Sequence, residues 1–106
     1  MTPEIKESGF VLSFKDIFTD YPTFMNQTRD PIYRAILLAF DALKEKEKVA
    51  VNISATVDDT EFESELEFTK ANLDILTDVI NPYFEKIEDY ETCVEVMKVL
   101  SDLQKN

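Results

Sequence analysis

Val49-Ala50-Val51-Asn52-Ile53-Ser54-Ala55-Thr56-Val57-Asp58-Asp59-Thr60-Glu61-Phe62-Glu63-Ser64-Glu65-Leu66-Glu67-Phe68 consists of two alternating runs joined by a pair of aspartates. In the first run Val49, Val51, Ile53, Ala55 and Val57 alternate with Ala50, Asn52, Ser54 and Thr56. In the second, Phe62, Leu66 and Phe68 alternate with Glu61, Glu63, Glu65 and Glu67. A two-residue period marks strands with one face buried. Setting Thr56 opposite Glu61 pairs Ala55 with Phe62, Ile53 with Ser64, Val51 with Leu66 and Val49 with Phe68. A loop of 58–59 or of 57–60 keeps that register. A three-residue loop would slip it by one and expose the apolar set. Because this stretch contains no glycine, the longer loop is expected over the tight primed turn.

Downstream, Thr69 or Asn72 can cap a helix carrying Leu73, Leu76 and Ile80. At Asn81-Pro82 that helix either kinks or restarts with Asn81 as cap. Tyr83, Phe84 and Ile87 continue its apolar face. Asp89 can cap a last helix, with Tyr90, Val94, Met97 and Leu100 at helical spacing, ending near Leu103. Residues 83–104, with Tyr83, Lys86, Glu88, Asp89, Tyr90, Glu91, Cys93, Val94 and Leu100, resemble the helical hairpin called the UVR motif of excision-repair and Clp-type proteins. The resemblance covers about a fifth of the chain and implies a protein–protein contact element. Cys93-Val94 and Met97-Lys98 stand where that family carries a small-residue pair and Arg-Asp, and no function is carried over from it.

Upstream, Asp30 before Pro31 reads as the cap and first residue of a helix bearing Ile32, Ile36, Phe40 and Leu43, flanked by Tyr33 and Leu37. Its last turn would hold Lys44, Lys46 and Lys48, which suit the negative end of the helix dipole. Leu38 shares an outer face with Arg34 and Asp41. Residues 16–29 fit no period and read as an ordered loop, with Phe18, Tyr21 and Phe24 as core or as an apolar docking patch. Phe10, Leu12 and Phe14, alternating with Val11, Ser13 and Lys15, read as a further strand. The order β-α-β-β-α-α predicts a single α+β domain over residues 1–106. A small three-stranded antiparallel sheet would be covered by helices on one face.

The chain has 106 residues and a net charge of −11. Residues 1–48 hold 8 acids and 7 bases, whereas residues 49–106 hold 14 acids and 4 bases. On a strand, Glu61, Glu63, Glu65 and Glu67 point the same way at roughly 6.6–6.8 Å spacing. They form a ladder on the solvent face that Asp58 and Asp59 extend at the tip. The ladder either keeps the sheet soluble and discourages edge pairing or recognises a basic partner, with steep salt dependence. Carboxylates strung along a strand do not converge as a calcium loop does, so no metal is expected.

With 44% apolar residues the chain can build a core. Lacking His, and with one Cys and one Gly, it has no catalytic imidazole, no thiolate metal cluster and no glycine-rich phosphate loop. Cys93 reads as a small apolar residue rather than a redox thiol. An unpaired Cys, an acidic N-terminus and the lack of a long apolar run suggest a cytoplasmic protein. A pI near 4.3 disfavours direct nucleic-acid binding.

The expectation is a non-enzymatic, cofactor-free interaction module docking on a basic protein surface through Asp58, Asp59, Glu61, Glu63, Glu65 and Glu67. Size and acidity suit a small regulator, inhibitor or assembly chaperone of bacterial or phage type. The alternatives are a nucleic-acid mimic that blocks a DNA- or RNA-binding protein, a small Asp/Glu-dependent enzyme, and a subunit completed by homodimerisation.

Overall fold

A computed structural model describes residues 4–6 and 9–105, with side chains from residue 10 onward. The elements in order are β1 (Glu4–Lys6), β2 (Gly9–Phe18), α1 (Tyr21–Ala42), β3 (Lys48–Val57) and β4 (Thr60–Thr69). A 3-10 turn (Lys70–Asn72), a π turn (Leu76–Ile80), α2 (Asn81–Lys86) and α3 (Tyr90–Gln104) follow. The architecture is α+β, with the expected succession of strand, helix, hairpin and helices and a short strand added at the start.

The hairpin has the register read from its alternation, pair by pair: Ala55 opposite Phe62, Ile53 opposite Ser64, Val51 opposite Leu66 and Val49 opposite Phe68. Its loop is the shorter of the two that preserve register. Asp58 and Asp59 have φ of 52° and 59°, the left-handed pair of a primed turn. Aspartate tolerates that region better than most residues. The Asp58 amide also donates to the Phe18 carbonyl at 2.9 Å, pinning the tip to the end of β2.

The sheet order is β1-β2-β3-β4, and β2 runs parallel to β3, whereas β1–β2 and β3–β4 are antiparallel. The purely antiparallel expectation is therefore corrected to a mixed sheet. The cause lies in residues 16–29, which are not a loop. Strand β2 continues through Phe18, and α1 starts at Tyr21, capped by Asp20, whose side chain accepts from the Thr23 amide at 2.8 Å. Pro22, not Pro31, opens the helix, and Asp30 lies within it. Pro31 sits inside α1, where a proline costs about 3 kcal/mol in a solvated helix. Burial of Phe24, Thr28, Ile32, Ala35, Ile36, Ala39 and Phe40 along one stripe outweighs it. A 22-residue helix spans about 33 Å, the length of a ten-residue strand. It therefore returns the chain to the end of the sheet where β2 began, and β3 enters parallel. A helix starting at Pro31 would have been too short for that crossover.

Helix α1 ends at Ala42, so the lysines at 44, 46 and 48 lie past its last turn. Phe18 and Phe24 are buried, which removes them as a docking patch, and they stack edge-on with ring centroids 5.1 Å apart. Phe14 and Phe62 also meet Phe24 edge-on, at 5.8 and 5.6 Å.

Pro82 neither restarts a capped helix nor simply kinks one. Residues 74–86 wind continuously, and the turn before the proline widens, with the Asn81 amide bonding the Leu76 carbonyl. Such a π turn absorbs the hydrogen bond a proline cannot make. Thr69 and Asn72 form a reciprocal capping box on the 3-10 turn. Asp89 caps α3, accepting from the Thr92 amide.

The buried face of α3 is Val96, Val99, Leu100 and Leu103. The expected Tyr90–Val94–Met97 face is instead exposed, at 62%, 67% and 51%. Both stripes repeat at helical spacing, and only docking against the neighbouring helices decides between them. The buried side chains of sheet and helices form one connected cluster.

Candidate functional site

The helices cover one side of the sheet and leave the other open. On β3 the open face carries Ala50, Asn52, Ser54 and Thr56, paired with Glu67, Glu65, Glu63 and Glu61 of β4. On β2, Val11 lies beside Asn52 and Ser13 beside Ser54. The central residues are short, and the Ser54 hydroxyl donates to Ser13 Oγ at 3.2 Å. Long carboxylate side chains stand along β4. The difference in side-chain length leaves a hollow of about 460 Å³ bounded by Val11, Ser13, Asn52, Ser54, Glu63 and Glu65.

All four glutamates are exposed, as are Asp58 and Asp59 at the tip. The structure thus brings the six acidic residues picked from the sequence onto one hairpin, four on its open face and two at its turn. Among the described residues no cation pairs with any of them. A two-residue bulge in β2 between Ser13 and Ile17 sets Ile17 beside Thr56, 73% exposed. The sequence does not single out Ile17, because residues 16–29 follow no period that would set it on a strand.

Two of the cations, Arg34 and Lys44, are engaged on the helical side. Arg34 of α1 donates through Nε to Asp30 Oδ1 and through Nη2 to Asp89 Oδ2, both at 2.7 Å. Its Nη1 donates to Thr92 Oγ1 at 3.1 Å, and the guanidinium lies 4.9 Å from the centre of the buried Phe84 ring. The Tyr83 hydroxyl donates to Asp30 Oδ2 at 3.3 Å. These contacts tie α1, α2 and α3 together. They raise the Arg34 pKa, while the Thr92 hydroxyl and then Arg34 hold the Asp89 carboxyl below its ordinary value. Burial and Asp30 push the Tyr83 hydroxyl up. Lys44 makes a second link, to Asp41 at 2.7 Å and Asp102 at 3.0 Å. Sequence reading could pair Arg34 with Asp30 as an i,i+4 couple, but Asp89 is 55 residues away.

Cys93 is a free, half-buried thiol packed against the core. Burial, then Glu85 and Asp89, push its pKa up, away from the reactive thiolate. Among the described residues no group of three or more Cys, Asp and Glu side chains is placed to hold a metal ion, and no helix is long and apolar enough to cross a membrane.

No family model, curated protein or solved structure matches this chain.

Proposed function

We propose that this chain is a non-enzymatic interaction module that docks on a basic protein surface through the open face of the β3–β4 hairpin. The observation that carries the reading is the ladder of Glu61, Glu63, Glu65 and Glu67, with no cation paired to it among the described residues, beside a trough of short side chains. Like charges in a row oppose folding slightly. A complementary surface would relieve that repulsion, speed encounter and fix orientation. The trough has room for the stems of lysine or arginine side chains whose charged heads reach the ladder. Asp/Glu acid–base catalysis calls for a carboxylate enclosed in a pocket, whereas Glu63 and Glu65 beside the hollow are exposed, which weighs against that alternative. A nucleic-acid mimic would need charge on two lines spaced like duplex backbones, and the ladder is one line.

The test is titration calorimetry with a lysine-rich peptide from low to high salt. Two variants of equal net charge are compared. One has Glu61, Glu63, Glu65 and Glu67 changed to Gln, and the other has Glu45, Glu47, Glu91 and Glu95 changed to Gln. The ladder variant is expected to lose at least tenfold in affinity and the control under twofold, with affinity falling steeply in salt. Equal losses in both variants, or a flat salt response, would overturn the reading.

A further inference from the structure

Apart from the charge of its four glutamates, the outer edge of β4 bears none of the devices that usually blunt an exposed strand. It is ten residues long and pairs with β3 without a bulge, and its sequence Thr60–Thr69 contains no Pro, Gly or Lys. Among the described residues no strand lies beyond it. An edge of this kind presents alternate N–H and C=O groups ready to pair. The underside of that edge is also incompletely covered. Phe62, Ser64 and Leu66 alternate as half-buried side chains, although Phe62 and Leu66 pack against the core. A strand laid alongside would cover both.

The charge pattern selects the occupant. Antiparallel pairing with a second copy of β4 would set Glu61 opposite Glu67 and Glu63 opposite Glu65, like charges at the closest cross-strand positions. An added strand with Lys or Arg at every second position would place cations opposite those glutamates on the open face. Its intervening apolar side chains would lie beside Phe62 and Leu66 underneath.

We infer that β4 accepts an extended segment of its partner by strand addition, and that this segment alternates basic with apolar residues. The inference rests on the docking reading above and specifies the partner's form. It gives β4 two roles. Main-chain hydrogen bonds would supply affinity, and the glutamate ladder would choose the sequence and reject self-pairing.

The probe is an eight-residue peptide alternating Lys and Val. It is compared with the same peptide methylated at every backbone nitrogen, which keeps the charge and side chains but has no N–H to donate. Amide hydrogen exchange of the full chain is followed by NMR at low salt. With the first peptide, alternate amides of β4 are expected to exchange at least tenfold more slowly, and the methylated peptide to bind at least tenfold more weakly. Equal binding of both peptides with β4 amides unprotected would overturn strand addition and leave open-face docking standing. Binding of neither peptide at low salt would overturn both.

Discussion

Charge is handled in opposite ways at the two sides of this molecule. On the helical side Arg34 is surrounded by Asp30, Asp89 and Thr92 and lies over Phe84, so that one cation joins three helices. On the open side of the sheet four glutamates stand in line with no cation opposite among the described residues. Opposite charges brought together from distant parts of the chain organise the fold. Like charges held in register by a hairpin leave a field directed at solvent. The contrast separates residues whose loss should lower stability from residues whose loss should leave it nearly unchanged.

The sharpest way to break that contrast is at Phe84, fully buried beneath Arg34. Phe84→Ala should lose about 3–5 kcal/mol through lost transfer energy and the cavity left behind. That is a large share of the roughly 5–15 kcal/mol that domains possess. Urea unfolding checks it, and a loss below 1 kcal/mol would show that the helical side is not the stabilising one.

Arg34→Ala should cost less, about 1–2 kcal/mol, because solvent reaches the guanidinium and screens its ion pairs. It should also change the acid response. Asp89 has its folded pKa lowered, so its contribution is present above the ordinary carboxylate value of 3.8 and is lost as pH falls through the folded value. Part of that lowering comes from Arg34. The variant should therefore lose less stability than the wild type between pH 4 and pH 2. Denaturant midpoints at several pH values measure this, and parallel curves would remove Arg34 from the account.

The smallest effect is expected on the sheet. Changing Glu61, Glu63, Glu65 and Glu67 together to Gln should move stability by less than about 1 kcal/mol, upward at low salt and toward zero in high salt. A loss of several kcal/mol would place the ladder among the structural residues and end the contrast.

The hairpin was legible because its information is local. Two alternating runs within twenty residues admit one register that hides Val49, Val51, Ile53 and Phe68, and a slip by one would expose all four. The ladder followed at once, since side chains two apart on a strand share a face. Three other features were not legible, each for a distinct reason. The 16–29 segment hid a strand end and a helix start because its aromatics serve two elements: Phe18 closes β2 and Phe24 opens the stripe of α1. Pro31 looked like a helix start because local propensity favours it there, and only burial on both sides of it keeps the helix going. The turn at Asp58-Asp59 lacked the glycine that usually announces it, and the ten matched residue pairs hold its aspartates left-handed.

By itself, the amino-acid order determined what neighbours along the chain can settle: the two-residue period of the hairpin, the cap at Asp89, the row of carboxylates and the want of imidazole chemistry. Tertiary structure alone decided the parallel entry of β3, the choice between two apolar stripes on α3, the meeting of Arg34 with Asp89 and the exposure of the β4 edge. Each of these depends on which distant surfaces come to lie together. Periodicity shows that a face is apolar, but only packing shows what it is buried against.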